Sequence, residues 1–268
     1  MNAPFHNPKR LEAPSLRFYQ DVLRVMRAAG PPFLVGGAYA FAWYTGIVRH
    51  TKDIDLFLRP ADIGRAEEAL EAAGYRTETT FSHWLAKAFC DGDFIDLIYS
   101  SGNGACPVDD DWFAHAVEAE VLGEPARLAP PEEMIWQKAY IMERERFDGA
   151  DVAHLLLACG GALDWPRLLA RFGPHWRVLF AHLVLFGFIY PSERECVPAE
   201  VLGGLADRWR AEEAAPPPEG ALFRGGLLSR SQYLADLQRW GYPDARLRPA
   251  GGLTREQVRV WTDAAFAK

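Results

Sequence analysis

The first hundred residues alternate short apolar runs with amphipathic stretches. SLRFYQDVLRVMRAAG carries Leu16, Tyr19, Leu23 and Met26 near helical spacing, and Gly30 with Pro31 stops it. PFLVGG reads as a short buried strand, AYAFAWYTG as a short helix closed by Gly46, and DIDLFL as a strand ended by Arg59-Pro60. ADIGRAEEALEAAGY predicts an amphipathic helix with Ile63, Ala66, Leu70 and Ala73 on one side and Gly74 as its cap. FSHWLAKAFC and DFIDLIYS read as two strands joined by the turn DGD. The order strand, helix, strand, helix, strand, strand predicts a mixed sheet of modest size flanked by helices.

The pattern changes near Pro130-Pro131. PPEEMIWQKAYIMERERF opens with proline and glutamates, as a helix N-terminus does, and is expected to be helical throughout. DGADVAHLLLACGG is a second helix. DWPRLLARFG is a third, capped by Asp164 with Pro166 in its first turn. VLFAHLVLFGFIY, Val178 to Tyr190, is too short to span a bilayer and holds His182, so it reads as a buried core helix. PAEVLGGLADRWRAEE is a fifth, which makes a helical bundle. AAPPPEG, Ala214 to Gly220, reads as a linker. Beyond it a helix is expected from Ser229 to Gly241, and another opens with a capping box, Thr254 to Gln257. The expected fold class is α+β. A mixed-sheet domain would span residues 1–128, a helical domain 129–213, and a linker with a small helical segment 214–268.

Composition narrows the function. The net charge of -7 argues against a general nucleic-acid coat protein. Cys90, Cys106, Cys159 and Cys196 show no C-x-x-C spacing, so they read as free thiols in a reducing compartment. The N-terminus lacks an apolar signal-peptide core, and the expected location is cytoplasmic, with no membrane partner.

The candidate chemistry lies in VGGAYAFAWYTGIVRHTKDIDLFL, Val35 to Leu58. Residues i and i+2 of a strand share a face, so Asp53 and Asp55 should point one way with Phe57, while Ile54, Leu56 and Leu58 pack the other. Two carboxylates held that close repel unless a positive partner sits between them, and a divalent cation is the simplest one. Asp96 interrupts the apolar strand FIDLIY, so three carboxylates would converge if the two strands are neighbours. Gly36-Gly37 opens a helix, where bare backbone and free amides suit a phosphate. Arg49 and Lys52 could add positive charge for a triphosphate.

GG, then RHTKDIDLFL, then FIDLI together resemble the nucleotidyltransferase fold of the DNA polymerase β superfamily, over roughly Phe33 to Tyr99. The likeness is to minimal bacterial members, including AbiEii-type toxins and aminoglycoside adenylyltransferases. WQKAYIMERERFDGADVAHLL is similar to a toxin-family stretch in which a helix lysine precedes arginines and an aspartate. Lys138 would match the lysine, and Arg144, Arg146 and Asp151 the rest. Gly37 stands where many members have serine, so a side-chain contact to phosphate must be replaced by backbone.

The resemblance implies two-metal transfer of an NMP from an NTP to a hydroxyl, with Mg²⁺ or Mn²⁺. Asp53 and Asp55 would bridge the ions and Asp96 would hold the ion at the acceptor hydroxyl. Gly36 and Gly37 would seat the triphosphate, and Lys138 would contact phosphate from the helical domain. The acceptor would be a tRNA end, a protein side chain or an aminoglycoside-like small molecule. A toxin with an antitoxin partner is one subclass. The alternative is a nucleotide-sensing or protein-interaction module without turnover.

Blander readings attach to the remaining polar residues. Asp109 to Asp111 read as a loop or helix cap, and Asp91 and Asp93 as turn formers. Lys87 reads as an edge-strand lysine, with a phosphate role as its alternative. His83, His154 and His182 read as structural, since none has a second ligand at metal spacing. FAWY reads as helix core.

Overall fold

The computed structural model describes residues 12–217, 220 and 222–266. The chain forms two compact units, Met1–Pro130 and Pro131–Lys268. The first runs α1 (Ala13–Ala29), β1 (Leu34–Val35), α2 (Gly37–Thr45), β2 (Asp55–Phe57), α3 (Ile63–Ala72), β3 (Arg76–Phe81), β4 (Leu85–Cys90) and β5 (Asp93–Ile98). It continues with β6 (Ser100–Ser101), β7 (Cys106–Pro107), α4 (Asp110–Ala114), β8 (Val117–Val121) and β9 (Glu124–Leu128).

Among the described residues, seven strands form one sheet in the order β3-β4-β5-β2-β1-β9-β8. β2 runs parallel to β5 and β1 parallel to β9, while the other neighbours are antiparallel. The sheet is therefore mixed. Its central positions Leu34, Val35, Ile54, Leu56, Ile95 and Leu97 are fully buried. Each such side chain stabilises the fold by about 1.5–3 kcal/mol relative to exposure. α1 lies beside α3 and buries Phe18, Tyr19, Val22, Leu23 and Met26. α3 buries Ile63, Ala66 and Leu70, the stripe its spacing predicts, whereas Ala73 falls outside the helix and is exposed.

Two parts of this sheet depart from the sequence expectation. β3 precedes the predicted hairpin, and Phe81 to Trp84 is a turn closed by the Trp84 amide on the Phe81 carbonyl, not the start of a strand. The β8–β9 hairpin was not expected at all. It turns at Leu122 and Gly123, both at positive φ (54° and 82°), and leucine is a poor marker for such a turn. The β4–β5 turn matches expectation, with Asp91 and Gly92 at φ 47° and 95°. Asp109 caps α4 by accepting from the Asp111 amide.

The second unit holds α5 (Pro131–Ala139), α6 (Gly149–Cys159), α7 (Trp165–Phe172), α8 (Trp176–Ile189), α9 (Ala199–Ala214), α10 (Gly225–Leu228), α11 (Leu234–Gln238) and α12 (Arg255–Asp263). α5 stops well short of the predicted end at Phe147. The Glu143 amide donates to the Arg146 carbonyl, Met142 bridges to Phe147, and the Met142 amide donates to Leu228, so the chain turns back there. Asp164 caps α7 and the Thr254–Gln257 capping box opens α12, as expected. The helix expected from Ser229 to Gly241 is regular only over α11. The expected linker falls partly outside the described residues, at 218 and 219, as does the N-terminal stretch 1–11.

α8 is buried along Trp176, Leu179, His182, Leu183 and Phe186, but Val184, Leu185, Phe188 and Ile189 are exposed. It is thus a half-buried helix. The helical run Trp165–Ile189 is long and apolar enough to cross a membrane by length and composition. Gly173, at φ 45° and ψ -114°, breaks that run into α7 and α8.

Candidate active site

The parallel pairing of β2 with β5 sets Asp55 directly opposite Asp96. Partners in a parallel register show their side chains on one face, so the two carboxylates meet. Asp53 lies just before β2 rather than in it, and reaches the same place from the bend that leads into the strand. One carboxylate oxygen from each of Asp53, Asp55 and Asp96 lies within 4.8 Å of the others. The convergence that depended on neighbouring strands is therefore present. Thr51 Oγ1 donates to Asp53 Oδ1 at 2.6 Å and fixes that side chain.

Lys87 stands opposite Asp96 on β4, and its ammonium donates to Asp96 Oδ1 at 2.5 Å while resting 3.9 Å from the Phe94 ring centroid. It is no edge-strand snorkel, because β3 covers β4 on the outer side. Burial pushes the Asp96 carboxyl above its ordinary value. Lys87 pulls it back, Asp53 adds to the rise, and the net direction is up.

The glycine pair is fixed by these same residues. A β-carbon on Gly36 would collide with the Phe57 ring, and one on Gly37 would land on the Asp55 carboxylate. Gly37 also has φ 52°, which side-chain-bearing residues avoid. Serine at Gly37 therefore has no room here. The Gly36 amide donates to the Asp55 carbonyl at 3.0 Å, so it is not available to a phosphate. The first bond within α2 runs from Ala40 to the Gly36 carbonyl, which leaves the amides from Gly37 onward as the helix's free end. Phe57 shares the face of Asp55 but is buried against Trp112, ring centroids 5.1 Å apart, beneath Gly36.

The other expected site residues are placed as follows. Arg49 lies over the Phe41 ring, 4.5 Å from its centroid. Lys52 is exposed, and its carbonyl accepts from the Tyr19 hydroxyl at 2.8 Å. Lys138 belongs to the second unit, where its ammonium donates to Asp148 at 3.1 Å and Asp151 at 2.7 Å. Burial raises the Asp148 carboxyl, but Arg146 and Lys138 outweigh it and hold the group below its usual range. Any phosphate would compete with two carboxylates for Lys138. Nothing in the sequence marks Tyr19, Tyr39 or Thr51 as site residues. Aromatic residues on helices carry no signal that separates core from site.

Comparison with known proteins follows from this geometry. Residues 17–184 match the family described as "Uncharacterised nucleotidyltransferase". The chain belongs to that family. It is a nucleotidyltransferase, as the resemblance implied. No curated protein matches the sequence. Among solved structures, the antibiotic-resistance factor ANT(2'')-Ia is similar at 19% identity and TM-score 0.43, over 64% of this chain and 98% of that one. The lincosamide antibiotic adenylyltransferase LnuA is similar at 15% and 0.38, over 55% and 98%. A nucleotidyltransferase-type structure from Thermotoga maritima is similar at 16% and 0.37, over 47% and 83%. Likenesses this distant leave the assignment of this nucleotidyltransferase on the family match.

Proposed function

We propose that this nucleotidyltransferase transfers an NMP from an NTP to an acceptor hydroxyl, with Asp53, Asp55 and Asp96 as the metal-holding and catalytic residues. The observation that carries the reading is the convergence of three carboxylates beside a glycine-opened helix. An all-oxygen, all-anionic donor set fits a hard divalent cation such as Mg²⁺ or Mn²⁺. Bound there, one or two such ions would neutralise triphosphate charge and acidify the acceptor hydroxyl.

The chain's own residues supply the rest. The amides of α2 from Gly37 onward, with the positive end of the helix, would bind phosphate oxygens, and bare Gly37 lets them approach. Arg49 and Lys52 precede the aspartates and would add positive charge toward the triphosphate. The acceptor oxygen attacks the α-phosphorus, a new P–O bond forms, the bond to the β-phosphate oxygen breaks, and pyrophosphate leaves. Asp96 would take the acceptor's proton. Lys87 donates to Oδ1, which leaves Oδ2 toward the incoming ligands. A small-molecule hydroxyl is the acceptor class we favour, because the chain's net charge of -7 suits a cationic molecule better than RNA. An NTP-consuming reaction would suit the cytoplasmic location expected from the sequence.

The test is incubation of the full chain with α-³²P-labelled NTPs and Mg²⁺ against an aminoglycoside panel, total tRNA and lysate protein. Label is expected on a small molecule. Label on tRNA or protein would overturn the acceptor class, and no label or pyrophosphate release with any acceptor would overturn the transfer itself.

A further inference from the structure

Tyr39 sits in the first turn of α2, two residues after Gly37. The residue is 6% exposed, and its hydroxyl is buried with no hydrogen-bond partner. Buried hydroxyls are nearly always paired, and an orphan is destabilising unless something else uses it. The groups that bear on it are the Tyr19 phenol and the carboxylates of Asp53 and Asp55. Burial, then these neighbours, keep the Tyr39 phenol protonated, so it can only be a donor or a neutral acceptor. Tyr19, by contrast, has a partner in the Lys52 carbonyl.

We propose that Tyr39 is a positioning residue of the loaded site, its hydroxyl donating to an oxygen that arrives with the ligand, a phosphate oxygen or a water carried by the cation. This rests on the reading of the carboxylates as a cation and nucleotide site. The fold leaves the Tyr39 hydroxyl without a partner beside carboxylates that would bring in acceptor oxygens. The hydroxyl then orients the incoming group at the carboxylate pair without touching the reacting atoms.

The experiment compares wild type with Tyr39→Phe, which keeps the ring and deletes only the hydroxyl. Mn²⁺ binding is followed by electron paramagnetic resonance, alone and with a non-hydrolysable NTP analogue, and melting is recorded without ligand. Tyr39→Phe is expected to weaken ligand binding about fivefold. The unliganded protein should melt no lower than wild type, and up to about 2 °C higher, because an unpaired polar group is gone. Weakening already with Mn²⁺ alone identifies the acceptor as a cation-borne water; weakening only with the analogue identifies a phosphate oxygen. Equal binding by both proteins in both arms overturns the role of Tyr39 and leaves the carboxylate site standing. If wild type binds neither probe, the cation-site reading fails and this inference with it.

Discussion

Two regions of the molecule bury carboxylates in opposite ways. In the first unit Asp53, Asp55 and Asp96 converge on one another, with an oxygen of each within 4.8 Å of the others. In the second, buried acids meet guanidinium groups: Arg167 bridges Glu132 and Glu133, and Arg171 donates to Glu133 at 2.9 Å. Opposite charges interleaved in a helical interior hold α5 to α7, although Glu133 Oε2 and Arg167 Nε stay without a hydrogen-bond partner. Like charges gathered at a strand register are kept together by the sheet against their repulsion. Lys87 reaches Asp96, one member of the three, and the arrangement makes sense as a place for a further, divalent cation.

The sharpest way to break this contrast is to neutralise one member of the converging set. Asp55→Asn is expected to lower transfer by at least about a thousandfold, ~4 kcal/mol in the barrier. The unliganded protein should be no less stable, because the change removes like-charge repulsion from the carboxylate cluster. Pyrophosphate release and thermal melting measure the two effects. A fall in stability without loss of turnover would make the aspartates structural and erase the contrast.

The corresponding change in the second region should do the reverse. Arg167→Met leaves Glu132 and Glu133 buried with a lost partner, and breaking a buried pair costs about 3–5 kcal/mol. Burial already pushes the Glu133 carboxyl up despite both arginines, so it has little to spare. Chemical denaturation should show the loss, with transfer per folded molecule retained. Loss of transfer with stability intact would place Arg167 in the chemistry.

The two regions were not equally legible in the sequence. Asp53, Asp55, Asp96, Gly36 and Gly37 could be picked out because each breaks a local rule: acid in an apolar strand, or paired glycines between a strand and a helix. Their meeting required the β2–β5 register, which no local pattern encodes. The Lys87–Asp96 bond is likewise a cross-strand fact, since the two lie opposite only after β4 and β5 pair. The Glu132–Arg167 and Glu133–Arg171 pairs join residues far apart in sequence on helices whose charges look like ordinary surface charges. Helices with a cap and a stripe, such as α3, α7 and α12, were readable. β3 and the β8–β9 hairpin were not, because their residues are half polar and the second turn is led by leucine. Tyr39 was hidden for a related reason: within FAWY-type helix core, a site hydroxyl looks like packing.

Acid offers the smallest test of the comparison, through histidines. Burial lowers His83 in the first unit to about 4, and it lowers His175 and His182 in the second. The His182 Nε2–H donates to the Ala139 carbonyl, which only partly offsets its burial. A base whose folded value lies below its unfolded value of about 6.5 stays neutral in the fold while the unfolded chain takes up a proton. Each of the three therefore leaves stability unchanged above about pH 6.5 and erodes it as pH falls from there, for His83 down to about 4. One of them acts in the first unit and two in the second, so amide hydrogen exchange between pH 7 and pH 5 should show protection falling in both. His182→Gln keeps a donor for the Ala139 carbonyl and removes the titration, so it should flatten that fall. A second unit whose protection does not change across this range would show that its interior histidines take up protons as freely in the fold as out of it.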